Sequence, residues 1–278
     1  MINPTSLPAW VKVILQSKKY RELDIPQDTI LDLLAQPEAQ KLNQRDLPKW
    51  LKRKLHNIVA DYLGDPDYLS ATQELDQVFS SNNEDIQKNF CRKILNAHAS
   101  TSERLEYLEN FYDGIFRVTG KPQSISDLAC GLNPFAFPWM GLGVSVQYHA
   151  YDIHRSRVDF INHFFTKIHL APLAEHRDIL VNPPSESTDM TFLFKEAHRL
   201  DQRQKGCNKI LWQKIRSRWL LVSLPAMSLS GKHDLGKKHR KLVRDTVGES
   251  GWEIIELQYG TEQIFCIDKS SEKTRLSI

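Results

Sequence analysis

Residues 127–135, Asp-Leu-Ala-Cys-Gly-Leu-Asn-Pro-Phe, follow a short apolar run as a strand-to-helix loop would. A loop that cradles pyrophosphate carries three glycines, so that backbone amides can close around the anion. Here the three positions are Ala129, Gly131 and Asn133, followed by Pro134, and the phosphate nest is poorly made. S-adenosylmethionine has an adenosine but no phosphate, and needs close backbone approach at only one or two points. Its ribose still wants an acidic acceptor at the end of the second strand, about 20 residues further on. Asp152 stands there, closing Tyr-His-Ala-Tyr-Asp. Asp178, in Arg-Asp-Ile-Leu, is placed to accept from the adenine amino group while Ile179 packs on the ring. Each element alone is weak, since an aspartate at a strand end is as often a helix cap. Their order and spacing together point to a class I methyltransferase.

The elements that must position these residues fall into two stretches. Residues 1 to about 105 read as helical: Leu7, Trp10, Val11 and Ile14 recur at helical spacing, as do Leu51, Leu55, Ile58, Val59 and Leu63. From about residue 122 short apolar runs alternate with helical stretches. Strands are expected at 124–129, 147–153, around 177–181, 190–194, 219–224, 252–259 and 263–267, with helices at 155–168 and 199–215. Such alternation predicts an α/β fold, a Rossmann-like, mostly parallel seven-stranded sheet covered on both faces. Gly260, Thr261 and Glu262 join the last two runs as a hairpin, so one strand should be antiparallel. The expected division is a helical domain over 1–105 and a cofactor-binding domain over 106–278.

The 278 residues are 41% hydrophobic and 26% charged, which fits a globular chain. No apolar run approaches the roughly 18 residues of a membrane span and no leader pattern opens the chain, so a cytoplasmic protein is expected. Cys91, Cys130, Cys207 and Cys266 form no Cys-x-x-Cys pair, and the ten histidines form no ligand motif; reduced thiols and no metal are expected. The net charge of +3 is too small to announce nucleic acid. Its distribution is more telling: Lys18, Lys19 and Arg21 form one cluster, Lys49, Lys52, Arg53 and Lys54 a second, and Lys232, Lys237, Lys238, Arg240, Lys241 and Arg244 a third. These could merge into one surface for an anionic partner, or each could be a solvated helix face.

His98-Ala-Ser-Thr-Ser-Glu-Arg104, Asp127-Leu-Ala-Cys-Gly-Leu-Asn-Pro134, Asp152-Ile-His154, Arg177-Asp-Ile-Leu180, Phe194-Lys195 and Ser223-Leu-Pro225 resemble the ordered motifs of the aminoglycoside-resistance 16S rRNA methyltransferases. Ser17–Arg21 and Arg53–His56 are similar to that family's helical RNA-binding domain. The resemblance implies a monomeric enzyme that uses S-adenosyl-L-methionine to methylate guanine N7 in the decoding site of the 30S subunit. It implies that His98, Ala99 and Ser100 line the cofactor entrance and that Arg104 forks onto the methionine carboxylate. Asp127, Ala129 and Gly131 would pass close to the cofactor, Asp152 and Ile153 would hold the ribose, Asp178 and Ile179 the adenine, and Phe194 its other face. The alternative for Arg104 is an ion pair with Glu103 or Glu106. The chain departs from the family pattern at Glu196–Arg199, at Ala226-Met227 and in the strongly basic stretch 231–241.

Guanine N7 offers an in-plane lone pair and has no proton to lose, so no general base is expected and no catalytic acid or base is named. Asn182-Pro-Pro-Ser185 looks like the signature of exocyclic-amine methyltransferases, but it follows the third strand and Ser185 cannot stack a base; it reads as a loop. Two other readings stay open: the same cofactor with a different RNA or protein acceptor, and an RNA-binding or assembly factor of this fold without turnover.

Overall fold

The computed structural model describes residues 7–21, 23–59, 65–227 and 234–270, the Lys19 side chain excepted. Nine helices precede the first strand among these residues: α1 (Ala9–Leu15), α2 (Lys18–Arg21), α3 (Gln27–Ala35), α4 (Pro37–Gln40), α5 (Leu47–Val59), α6 (Tyr68–Val78), α7 (Glu84–Ala97), α8 (Ala99–Ser102) and α9 (Leu108–Thr119). Side-chain caps start α6 and α7, where Asp67 accepts from Leu69 N and Asn83 from Ile86 N.

Seven strands follow: β1 (Ser124–Leu128), β2 (Gln147–Asp152), β3 (Ala174–His176), β4 (Ser187–Phe194), β5 (Arg216–Pro225), β6 (Glu253–Tyr259) and β7 (Glu262–Asp268). Their order is β3-β2-β1-β4-β5-β7-β6. The first five are parallel, and β7 enters antiparallel between β5 and β6. This is the doubly wound sheet with one reversed strand that the sequence pattern predicts. The strand order reverses beside β1, so the crevice for a ligand opens at the carboxyl ends of β1, β2 and β4.

Alternation along the strands divides the core. Phe192 and Phe194 of β4, Leu221 of β5 and Cys266 of β7 face α7, α9 and α10 (Arg155–Lys167). Leu193, Leu220, Val222 and Phe265 face the other way, against Leu211 and Trp212 of α12 (Cys207–Lys214) and Val243 of α13 (Gly236–Val247). On the first face Phe135 stacks on Phe160 and Phe164, with centroids 4.8 and 4.3 Å away. Phe135 belongs to a 3-10 helix, Asn133–Trp139, which takes the place of an α-helix after β1; Pro138, inside it, removes an amide that α-helical bonding would need. All four cysteines are buried and free.

Two expectations are corrected. The third strand is Ala174–His176, not 177–181. Asp178 Oδ1 accepts from Leu180 N and its carbonyl from Asn182 N, which curls the apolar Ile-Leu-Val run into a turn. The helix expected over 199–215 is two, α11 (Ala197–Arg203) and α12, broken at Gly206, whose φ of 78° favours glycine. The helices before β1 divide between two cores. Val11 to Val59 form a cluster of their own, whereas Ala71, Leu75, Phe90 and Ile94 of α6 and α7 pack into the core of the sheet. The switch from helical to strand periodicity marks where the sheet begins, and says nothing of which helices cover it.

Below the β1 loop a polar knot fixes the strand end. Asp127 Oδ2 accepts from Asn133 Nδ2 (2.8 Å) and Tyr148 Oη (2.7 Å), and Asn133 Oδ1 accepts from Tyr112 Oη (2.7 Å). Burial pushes the Asp127 carboxyl up to about 7, against the bonds from Asn133 and Tyr148. The folded protein therefore binds a proton that the unfolded chain, with an aspartate near 4, has lost, and this group's contribution to stability falls as pH rises from about 4 to 7. Asp127→Asn keeps one acceptor oxygen and cannot ionise. Its melting temperature relative to wild type should rise by a few degrees between pH 5 and pH 8, about 1 kcal/mol corresponding to roughly 2–4 °C in a chain of this size. A difference that stays flat across that interval in thermal unfolding would count against an ionisable, buried Asp127.

Candidate cofactor crevice and the basic surface beside it

The loop after β1 turns through two left-handed residues, Ala129 at φ 50° and Gly131 at φ 54°. Alanine is uncommon there and costs of order 1 kcal/mol, so the surrounding structure must hold it. Cys130 N donates to Tyr151 O and Gly131 N to Asp152 Oδ2, both at 3.0 Å. These amides are consumed within the protein, which leaves no outward bank of donors for a phosphate and suits an adenosine cofactor that lacks one. His98 and Ser100 sit over this turn: a methyl group built on Gly131 would lie 3.7 Å from the His98 ring and 4.0 Å from Ser100 Oγ. His98 Nδ1 and Ser100 Oγ are 2.7 Å apart, and burial lowers the His98 pKa to about 4, so the ring is neutral at pH 7. Ala99 begins α8 and is exposed.

Asp152, 3% exposed, is the hub of the crevice. Its Oδ1 accepts from His154 N (2.9 Å), its Oδ2 from Gly131 N, and Arg157 Nη1 reaches both oxygens at 3.1 and 2.9 Å. Burial alone would raise its pKa; the Arg157 charge and these bonds outweigh that and hold it below the usual aspartate value. A carboxylate has about four acceptor positions; His154 N and Gly131 N take one each, and Arg157 Nη1 is shared between the two oxygens, so a ribose hydroxyl would compete only with that shared contact.

A cavity of about 270 Å³ opens against Asp152, lined also by Ala129, Ile153, Asp178, Ile179 and Leu200. Small-ligand sites begin near roughly 300 Å³, so this is the space of an adenosine rather than of a larger dinucleotide. The structure thus brings Ala129, Asp152, Ile153, Asp178 and Ile179 together around one cavity. Asp178 is not idle, however. Its Oδ2 accepts from Thr29 Oγ1 of α3 (2.8 Å) and pairs with Arg203 of α11 (2.7 Å).

Two expected contacts are corrected. Phe194 does not border the cavity. It stacks on Phe192 at 4.8 Å and meets Phe111 edge-on, because both strand residues share the face turned to α9. The apolar lining is instead Ile58, Ile153, Ile179 and Leu200. Arg104, 2% exposed, gives its fork to Glu262 of β7, with Nη2 to Oε1 2.6 Å and Nε to Oε2 3.3 Å, and its Nη1 to Asn133 Oδ1 at 2.7 Å. It lies between Phe111 and Phe194, 4.3 and 4.8 Å from their centroids. Neither Glu103 nor Glu106 is its partner; Glu103 pairs with Lys195 at 2.6 Å. Breaking a buried pair of this kind costs roughly 3–5 kcal/mol, so the Arg104 fork is a fixture of the fold beneath the loop. Asp127 likewise supports the loop from below.

Sequence reasoning missed Arg157, Glu262 and the helix that roofs the cavity. Arg53, Lys54, Asn57 and Ile58 of α5 line it from above, and Arg199 Nη2 donates to Asn57 O and Ile58 O at 3.3 Å each, at the carbonyl end of that helix. Glu196 and Arg199, which depart from the family pattern, are thus part of the seam with α5. A lone arginine in a helix or glutamate in a hairpin carries no sequence mark of a buried partner.

Lys52 and Arg53 are exposed on α5, and Lys54 pairs with Glu38 at 3.0 Å. Lys18 and Arg21 are exposed on α2; the side chain of Lys19 and the whole of Lys232 lie outside the described residues. On α13, Lys237 and Lys238 are exposed and Arg240 pairs with Glu256 at 2.7 Å. The α11 helix lies between α5 and α13, touching the first through Arg199 and the second through His198 and His239, whose rings are 5.1 Å apart. The second and third basic clusters therefore flank one helix beside the cavity. The loop 182–185 is irregular backbone before β4, and Asn182 Nδ2 donates to Asp28 of α3. Among the described residues no three His, Cys, Asp or Glu side chains are grouped to hold a metal, and no helix is long and apolar enough to cross a membrane.

Comparison with known proteins agrees with this fold. A 16S rRNA (guanine(1405)-N(7))-methyltransferase of Micromonospora echinospora is 32% identical over 228 residues, 81% of this chain and 83% of that protein. One of the same description from Proteus mirabilis is 29% identical over 241 residues, 81% and 85% of the two chains. The solved 16S rRNA methylase RmtB superposes with a TM-score of 0.77 at 27% identity, covering 94% of this chain and 97% of its own. RmtF, solved in complex with S-adenosyl-L-homocysteine, shares the fold with a TM-score of 0.73 at 22% identity, covering 94% and 96%. The profile described as ribosomal RNA methyltransferase (FmrO) matches residues 16–267. Spanning nearly the whole chain, that match shows that this protein belongs to the FmrO family of ribosomal RNA methyltransferases.

Proposed function

We propose that the protein uses S-adenosyl-L-methionine to methylate N7 of a decoding-site guanine in the 16S rRNA of the assembled 30S subunit, and that this modification protects its host from aminoglycosides. The observation that carries the reading is the convergence of Asp152, Asp178 and Ile179 on one adenosine-sized cavity roofed by the basic helix α5. Family membership and the activity of these relatives support the acceptor.

The cofactor supplies an electrophilic methyl group on a sulfonium. Asp152 would accept a ribose hydroxyl on the oxygens that Arg157 Nη1 shares, and Ile179 would pack on the adenine beside Asp178. His98, neutral at pH 7 and bonded to Ser100, closes the entrance without adding a charge near the sulfonium. No side chain has to move a proton, because guanine N7 has none to give. What the protein contributes is position, a term worth roughly 7–11 kcal/mol when reacting atoms are held in near-attack geometry. The basic faces of α2, α5 and α13 grip phosphates, and the folded shape of the RNA selects the site.

Labelled cofactor should transfer its methyl group to 30S subunits and not to short oligonucleotides, with a single mass shift on a decoding-site guanine. Asp152→Ala should abolish both cofactor binding and transfer; label that appears on ribosomal protein instead of rRNA would reassign the acceptor. Lys52→Ala with Arg53→Ala should weaken 30S binding and flatten its log–log salt dependence by about 0.7–0.9 for each phosphate no longer neutralised. An unchanged slope would remove α5 from the RNA interface.

A further inference from the structure

Arg157 is 1% exposed, and each of its nitrogens is committed. Nη1 bonds both oxygens of Asp152, Nη2 bonds both oxygens of Asp65 at 2.8 and 2.7 Å, and Nε faces Tyr68 Oη at 3.3 Å. Asp65 lies on the connector between α5 and α6, so the carboxylate that grips this arginine belongs to the segment leading out of the helical unit. It also stands 3.4 Å from His154 Nε2, and His154 N is another of the donors on Asp152. The connector therefore bears on two of the three groups that set the ribose carboxylate.

The geometry points to Asp65 as a positioning residue for the cofactor: through Arg157 it holds Asp152 in the state that accepts a ribose hydroxyl, so that the seating of the helical unit determines cofactor affinity. This inference rests on the cofactor reading above. The physical reason lies in the planar guanidinium fork. Two nitrogens of an arginine can grip one carboxylate side by side, and an unrestrained Arg157 would do so with Asp152. That grip would set two nitrogens against a ribose hydroxyl. With Nη2 clamped by both oxygens of Asp65, only Nη1 reaches Asp152, and a single nitrogen shared between two oxygens yields to a ribose hydroxyl more readily than a paired fork. The second negative charge also keeps Arg157 from neutralising Asp152 completely, which preserves its strength as an acceptor. The helical unit reaches the same crevice independently, through Thr29 on Asp178 and through Asp32, 3.4 Å from Arg203.

Asp65→Asn removes the charge and one acceptor at constant size. Calorimetry with S-adenosylhomocysteine should show a Kd raised about tenfold, and methylation of 30S subunits should show the KM for S-adenosylmethionine raised with kcat at saturating cofactor within about twofold of wild type. Asp65→Glu should restore part of the affinity. Tyr68→Phe, which takes the Nε acceptor and no charge, should give a smaller loss in the same direction and decides the matter if Asp65→Asn does not fold. A Kd unchanged in folded Asp65→Asn, or in Tyr68→Phe should that variant alone fold, overturns the inference while leaving the cofactor reading intact. A fall in kcat with KM unchanged also overturns it. Absence of heat with the wild-type protein removes the cofactor reading and this inference together.

Discussion

A carboxylate withdrawn from water stays ionised only where donors converge on it, and the convergence on Asp152 ties together every part of the crevice. Gly131 N comes from the loop after β1, His154 N from the turn after β2, and Arg157 from the first turn of α10. If any of the three drifted, the anion would lose stabilisation worth more than a typical surface contact, so the loop, the turn and the helix must arrive together. The left-handed Ala129 is one consequence. Its strain of order 1 kcal/mol is held because the next two amides are already bound to Tyr151 O and Asp152.

A second buried ion pair governs the other side of the loop. Arg104 and Glu262 neutralise each other between Phe111 and Phe194, and Lys195 Nζ stands 3.5 Å from Glu262. Burial works against both charges, yet their mutual attraction wins: Arg104 is held above its ordinary pKa and Glu262 below its own. Because Arg104 Nη1 also bonds Asn133, and Asn133 bonds Asp127, the antiparallel hairpin is coupled to the end of β1 by a continuous polar chain. The reversed strand β7, set between β5 and β6, thus also braces the loop after β1.

Much of this is legible in the residues, for identifiable reasons. Strand periodicity reveals the sheet and its reversed strand because β4, β5 and β7 alternate between two cores, and the spacing from Gly131 to Asp152 points to the crevice because one β-loop-β unit has a nearly fixed length. Periodicity misplaces the third strand because Ile179-Leu180-Val181 has strand composition while Asp178 bends the backbone by a local bond that periodicity does not register. Arg104 and Phe194 have the right residue types in motif positions, but their partners, Glu262 and Phe192, are set by packing across 158 residues in one case and by strand facing in the other. Arg157 has no sequence signal at all, since its role comes from standing between two aspartates that only the fold brings together.

The seam between the helical unit and the sheet is largely polar: Thr29 with Asp178, Arg203 with Asp32 and Asp178, Arg199 with the carbonyl end of α5, Arg157 with Asp65. Interfaces of this kind between parts of one chain are easier to adjust than apolar ones, because each bond can be exchanged for another without exposing hydrocarbon. Several of the bonded groups are the very aspartates that face the cavity. Under the proposed action on an assembled subunit, the helical unit would settle on RNA while the crevice keeps its arrangement of acceptors. Seating on RNA and occupation of the crevice would then act on the same few carboxylates, and whatever free energy one lends the other must be returned in equal amount.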